Sequence, residues 1–326
     1  MRSAAPHILA AGLALILTGC GHYASFTLPA EETAQAGHYE WQPRSGVVLR
    51  AEAVDTLNPS VVKWRDSLLN LYSVYDGKTW HTESAISEDG LAWSGARRVI
   101  SPRNGSWESG YIAANGAGIV FQGELLYFYQ AGNPPQIGLA HSEDAKVWTR
   151  EAAPVLALGP RGAWDERATA DPYVVQAGGQ MYLYYLGEDR ARRQRLGVAV
   201  SNDGRQWTKL TGAPVLELGE QGAWDENGLG EPAVWSAHGA WWMLYTGRAR
   251  NEPRRMGLVK SADGVHWTRT GVVISGAEAW NSQVVCDATV LPEEDRVRVW
   301  FGGGDVAHPA ENIHGRIGYG ELIWRK

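Results

Sequence analysis

Five polar residues recur at a nearly constant interval along this chain, and three of them are carboxylic acids. Asn58, Asn115, Asp171, Glu231 and Asp287 lie 57, 56, 60 and 56 residues apart, and each begins an apolar run. Each is followed 14 residues later by an aromatic ring: Tyr72, Tyr129, Tyr185, Tyr245 and Phe301. Carboxylates crowded near an apolar floor acquire unequal proton affinities, and unequal affinities separate an acid from a base. Residues at such positions can also merely cap strand starts. Three acids among five favour a site, provided the fold brings them together.

The elements that must do so are visible as an internal repeat. A Ser-x-Asp-x-x-x-Trp motif spans Ser87–Trp93, Ser142–Trp148, Ser201–Trp207 and Ser261–Trp267, with Gly after the Asp in three of the four. In the third unit, Pro172–Gln176, Met181–Leu186, Leu196–Val200 and Gln206–Leu210 read as four strands, with turns at Gly178-Gly179 and Asn202-Asp203-Gly204. No long helical period occurs. Four strands repeated five times predict an all-β fold, a five-bladed β-propeller of four-stranded antiparallel blades. The fifth unit lacks its own Asp-Gly-x-x-Trp, whereas Trp41 precedes Val47-Val48 as the repeat tryptophans precede their apolar pairs. The N-terminal segment around Trp41 is therefore expected to supply the last blade's outer strand and close the ring.

Strand parity places the five polar residues around the axis on one face and the Ser-x-Asp turns on the other. The resulting funnel is the expected site. Each aromatic 14 residues on is expected across the hairpin from its polar partner, so Tyr72, Tyr129, Tyr185 and Tyr245 are candidate binding residues beside Asn58 and Asn115. Two arginine-rich hairpins on the same face contribute Arg193 and Arg254 as candidate anion contacts, although hairpin charges more often form a solvated face. Trp164 and Trp224, seven residues before Asp171 and Glu231, suit packing between blades or sugar stacking. His314 is the histidine best placed to reach the funnel. The histidines show no metal-ligand spacing, and neither a phosphate-cradling loop nor a nucleophile elbow is present. No organic cofactor is implied; a cation on the axis is compatible with ringed acids but not specified by them.

With 326 residues, 44% apolar, the chain can bury a sizeable core, and a net charge of −6 argues against a nucleic-acid partner. Arg2, the apolar run Ile8–Ile16 and Leu17-Thr18-Gly19-Cys20 are similar to a bacterial lipoprotein signal, which implies cleavage before Cys20 and its lipidation. The expected layout is a signal peptide at 1–19, a lipidated tether at 20–40 and the propeller at 41–326. The expected location is the membrane of an exported compartment, the outer membrane if the source is Gram-negative, with contact through the lipid alone and the protein a monomer. Cys286 is the one other cysteine, so no intramolecular disulfide is expected after cleavage.

The unit pattern Trp-Asp…Asp-Pro-x-Val-Val…Tyr-x-Tyr-Tyr-x-Gly…Gly-x-Ala-x-Ser-x-Asp-Gly-x-x-Trp resembles the five-bladed propellers of glycoside hydrolase families 43, 32 and 68 over residues 41–324. The resemblance implies a carbohydrate substrate and three working acids. Asp171 in Ala170-Asp171-Pro172 matches the orienting acid of the third blade, and Glu231 in Gly230-Glu231-Pro232 the general acid of the fourth. The first-blade base or nucleophile has no match, because Leu57-Asn58-Pro59-Ser60 carries an amide. Asp287 on the adjoining fifth blade, or Asp55, is the expected substitute. A pair flanking a glycosidic bond needs carboxyl groups roughly 5 to 9.5 Å apart. Asn58-Pro59 is also similar to the first blade of the mannoside phosphorylases of family 130, which attack with phosphate. A non-catalytic glycan-binding propeller is the remaining expectation.

Overall fold

The computed structural model describes residues 23–29, 34–210, 212–251, 253–307 and 311–326. Among them the only helical element is a three-residue 3-10 turn, Ala279–Asn281. The strands form five antiparallel sheets arranged as a five-bladed propeller. Blade one comprises Asp55–Trp64, Ser67–Tyr75, Trp80–Ser87 and Ser94–Ile100; blade two Ala113–Phe121, Glu124–Ala131, Gln136–Ser142 and Thr149–Arg150. Blade three comprises Ala168–Ala177, Gln180–Glu188, Gln194–Ser201 and Thr208–Leu210; blade four Gly228–Ala237, Ala240–Arg248, Arg254–Ser261 and Trp267–Ile274. Blade five takes Val284–Pro292, Arg296–Gly304 and Arg316–Arg325 from the C-terminus, and His38–Leu49 completes it, with Trp41 opposite Leu322. The closure expected around Trp41 is thus realised, and it removes two open sheet edges at once.

The Ser-x-Asp turns hold the outer hairpins by local hydrogen bonds. In blade three the Ser201 Oγ accepts from Gly204 N at 2.8 Å, and Asp203 Oδ1 accepts from the amides of Arg205 and Gln206 at 2.8 and 2.9 Å. Those amide bonds hold the Asp203 carboxyl below the usual carboxylate range. Gly204 takes a φ of 73°, and Ala145 occupies the same left-handed position in blade two at 58°, where an alanine costs about 1–2 kcal/mol.

Aromatic residues fill the space between blades. Tyr39, Trp235, Trp242, Val285 and Leu322 share one cluster between blades four and five. Full burial of such a side chain contributes about 1.5–3 kcal/mol. Residues 23–29, expected as a free tether, instead pack on the propeller. Tyr23–Ala24 adds a parallel fifth strand to blade three, and Leu28, 3% exposed, donates its amide to Asp263 O at 3.1 Å. An apolar Leu28 and an edge strand with unpaired amides both gain from docking, and neither carries a periodic signal over so few residues.

Candidate active site

All five ring positions lie at the narrow centre of one face, and the backbone explains how. Each inner strand breaks its ladder there by a bulge: between Leu57 and Ser60, Ala114 and Ala117, Ala170 and Tyr173, Gly230 and Ala233, and Cys286 and Thr289. At each bulge the ring residue adopts a left-handed backbone, with φ of 49° at Asn58, 49° at Asn115, 47° at Asp171, 53° at Glu231 and 56° at Asp287. Asn and Asp tolerate this conformation best; Glu231 carries the larger strain. The distortion interrupts strand alternation and gathers the five polar residues around the axial space.

Hydrogen bonds link the ring from blade to blade. Asn58 Nδ2 donates to Asp287 Oδ1, the Cys286 thiol donates to Asp287 Oδ2 at 2.8 Å, and Asp287 N donates to Glu231 Oε2 at 3.2 Å. The Glu231 amide and the Asn115 side chain stand beside the Asp171 carboxylate and favour its charged form. Asn115 is held in turn by Ser73, whose Oγ accepts from its amide at 2.9 Å. Burial first, and the Glu231 carboxylate second, push Asp171 up to about 7. The same two causes, together with a hydrogen bond shared with Glu231, raise Asp287 well above the usual range. Asp171 and Asp287 therefore hold their protons more tightly than ordinary carboxyls.

Ligand atoms of Glu231, Cys286 and Asp287 lie within 4.8 Å of one another. Burial pushes the Cys286 thiol well up, and its proton is committed to Asp287. A metal needs the thiolate, so this cluster suits proton sharing better than metal binding.

Above the ring the funnel encloses about 260 Å³, with Tyr111, Glu188, Glu311, Arg248 and Arg254 on its walls. At the ring the axial space narrows to about 30 Å³, and about 250 Å³ lies beyond it between the inner strands.

Several expectations are corrected. The Asp287 amide donates to Glu231 Oε2 at 3.2 Å and the two carboxylates approach within 4.8 Å, short of the roughly 5 to 9.5 Å of a pair that flanks a glycosidic bond. Asp55 is fully buried away from the funnel, accepting from the amides of Asn312 at 2.6 Å and Gly315 at 2.8 Å, where it fastens the last loop. Tyr72, Tyr129, Tyr185 and Tyr245 do lie opposite the ring residues, but the pleat turns their rings into the blades. Their hydroxyls donate to Glu83, Glu108, Asp165 and Asp225, and none is more than 1% exposed. Trp164 and Trp224 pack on Tyr185 and Tyr245, with centroids 5.5 and 5.4 Å apart, and so serve packing. Arg193 is an exposed hairpin residue paired with Asp189 at 2.7 Å, whereas Arg254 is buried in the funnel wall. His314 faces solvent, 2.7 Å from Asp305, and does not line the funnel. Cys20 and the segment 1–19 lie outside the described residues.

Tyr111 and Glu311 escape a reading based on the repeat. Tyr111 lies four residues before Asn115, where the other units carry Val54, Arg167, Asn227 and Gln283. Its signal is a departure from the repeat, which a search for recurring residues passes over.

An uncharacterized protein of Mycobacterium tuberculosis is 27% identical over 228 residues, which cover 65% of this chain and 75% of that protein. A 1,2-beta-oligomannan phosphorylase of Thermoanaerobacter sp. is 27% identical over 150 residues, 43% of this chain and 47% of the phosphorylase. The beta-1,2-mannobiose phosphorylase from Listeria innocua, solved with beta-1,2-mannobiose, shares the fold with a TM-score of 0.69 at 12% identity, covering 89% of this chain and 97% of that one. Residues 108–295 match the family described as Glycosyl hydrolases family 32 N-terminal domain, a stretch that begins beyond Asn58 and takes in Asn115, Asp171, Glu231 and Asp287. The protein is a glycoside hydrolase-like propeller, and with more than half its length in that match the chain belongs to the glycosyl hydrolase family 32 N-terminal domain family.

Proposed function

We propose that this protein is a carbohydrate-active enzyme that cleaves a glycosidic bond in the funnel. The observation that carries the reading is the trio Asp171, Glu231 and Asp287 on three adjoining blades, open to the funnel, with Asp171 pushed up to about 7 and Asp287 raised as well by burial beside the Glu231 carboxylate. Glu231, central in the trio, is the proton donor to the leaving oxygen. Asp171 supplies and tunes that proton, and Asp287 positions Glu231 through its backbone amide. General acid catalysis of this kind is worth roughly 10²–10⁴-fold. In hydrolysis, water attacks the anomeric carbon and a wall carboxylate, Glu188, takes its proton.

A second reading is phosphorolysis, in which inorganic phosphate attacks and the first-blade acid, here Asn58, is dispensable. It is favoured by Arg248 and Arg254 on the funnel wall and by the likeness to the Thermoanaerobacter phosphorylase. The deciding experiment incubates the protein with an oligosaccharide panel, mannosides included, with and without inorganic phosphate. Free sugar released without phosphate supports hydrolysis, and sugar phosphate formed only with it supports phosphorolysis. If the Glu231→Gln variant retains full turnover, the assignment of the donor fails.

The lipobox-like Leu17-Thr18-Gly19-Cys20 supports a membrane-tethered location for the enzyme. Incorporation of labelled palmitate that disappears in Cys20→Ala is the expected check.

A further inference from the structure

The chain has 16 Trp, 13 Tyr and 4 Phe, and among the described residues they are buried or half-buried with one exception. Tyr111 is 50% exposed, and it stands on the funnel wall. Its position is fixed from two sides. Tyr111 O accepts from Trp80 N at 2.7 Å, with Trp80 itself stacked on Tyr75, and the Tyr111 side chain stands beside the Glu311 carboxylate. The fold does not demand an aromatic there, since the other units carry Val, Arg, Asn and Gln at the same offset. An aromatic face left in water forfeits its burial, and a ring already held loses little freedom when something covers it.

The funnel narrows to a constriction at the ring. About 260 Å³ lies above the ring, only about 30 Å³ at it, and about 250 Å³ beyond it between the inner strands. The upper volume is near the small end of ligand pockets, about 300–1,000 Å³, which suits one sugar unit. The space at the ring is on the scale of one or two waters, too narrow for a sugar to pass. A glycan can therefore enter only by its end, with one unit over the acid trio and the next level with the rim.

We propose that Tyr111, anchored through its backbone to Trp80, is the stacking platform for the second unit of an oligosaccharide, so that the funnel removes single sugars from a chain end. The substrate class is a pyranosyl oligosaccharide whose second ring presents a C–H face to the phenol. This inference rests on the glycan-cleaving reading above.

The test compares wild type, Tyr111→Ala and Tyr111→Phe on linear oligosaccharides of two to six units, mannosides included, and on the methyl glycoside of the released sugar. Products shorter by one unit are expected throughout. Tyr111→Ala raises KM for the oligosaccharides by roughly fivefold, within the value of one aromatic contact, with kcat held and the methyl glycoside unaffected. Tyr111→Phe, which keeps the ring, restores most of the affinity. Internal cleavage products overturn the chain-end geometry, and an unchanged KM in a folded Tyr111→Ala overturns the platform. Saturation-transfer NMR on wild type separates the two layers of the claim. If no sugar in the panel binds or is cleaved, the glycan reading fails and the platform with it. If sugars are cleaved and Tyr111→Ala alters nothing, the platform alone fails.

Discussion

The propeller buries carboxylates in two regions and stabilises them in opposite ways. In the inter-blade loops, Glu108, Asp165 and Asp225 are at most 1% exposed, and each meets a tyrosine hydroxyl and a cation from its own blade. Glu108 accepts from Tyr129, and from Arg103 and Arg150 at 2.8 Å each; Asp165 from Tyr185 at 3.0 Å and Lys209 at 2.7 Å; Asp225 from Tyr245 at 2.9 Å and Arg269 at 3.0 Å. In the funnel, Asp171, Glu231 and Asp287 crowd one another, and Arg248 and Arg254 share their wall. Burial alone therefore does not mark a working acid. A buried acid bonded to its own cation and tyrosine is a fastener, whereas acids that crowd one another raise each other's proton affinity, and a proton so held can be delivered.

The largest effects should come from exchanging these fates. Glu231→Gln keeps the shape and removes the donor, so turnover should fall about 10²–10⁴-fold. Its urea midpoint should hold or rise, because one charge leaves a crowded trio. Asp165→Ala should do the reverse. It strands Lys209, 6% exposed at its side chain, and the loss of one partner of a buried pair costs about 3–5 kcal/mol. Urea unfolding and turnover measured on both variants check the contrast. A Glu231→Gln that is destabilised yet active would merge the two regions into one class.

The next effect is a dependence on pH. The folded Asp171 holds its proton up to about 7, against 3.8 for an ordinary aspartate. A raised carboxyl favours the folded state below the unfolded value, and that advantage is lost as pH rises from about 4 through about 7. Wild type should lose stability across this window, and Asp171→Asn should flatten the slope. Turnover should decline above about pH 7 as Asp171 gives up its proton. Denaturation midpoints at pH 4, 5.5 and 7 read the first effect, and pH–rate profiles the second. A slope unchanged in Asp171→Asn would mean that Asp171 is not the group responsible.

The five ring positions were legible because their spacing records blade length, and the position of Trp41 was enough to place the closing strand. The close pairing of Glu231 with Asp287 was not legible. It depends on left-handed backbone at bulges whose register the spacing does not encode. Asp55 looked available because its captors, the amides of Asn312 and Gly315, lie over 250 positions away in the chain. The tyrosines were placed opposite the right residues, yet the pleat faces them the other way. Tyr111 was invisible because a repeat advertises what recurs, and specificity here rests on what does not.

The smallest contrast tests how the fasteners work, and blade five supplies the control. There Asn281 takes the acid's place and Phe301 the tyrosine's, with Asn281 Oδ1 turned to accept from Glu278 N at 2.9 Å. Tyr245→Phe copies that ring but leaves Asp225 an ion, held by Arg269 alone, so stability should fall by about 1.5–3 kcal/mol, the value of a hydrogen bond to a charged group. Phe301→Tyr adds a hydroxyl where no carboxylate waits, and a buried unmatched hydroxyl costs about 1–3 kcal/mol. Both changes should be destabilising and both should leave turnover alone, since neither ring touches the funnel. Thermal melts of the two single variants decide it. If Tyr245→Phe melted like wild type, Arg269 would be sufficient for Asp225, and the fasteners would differ from the funnel acids by their cation alone.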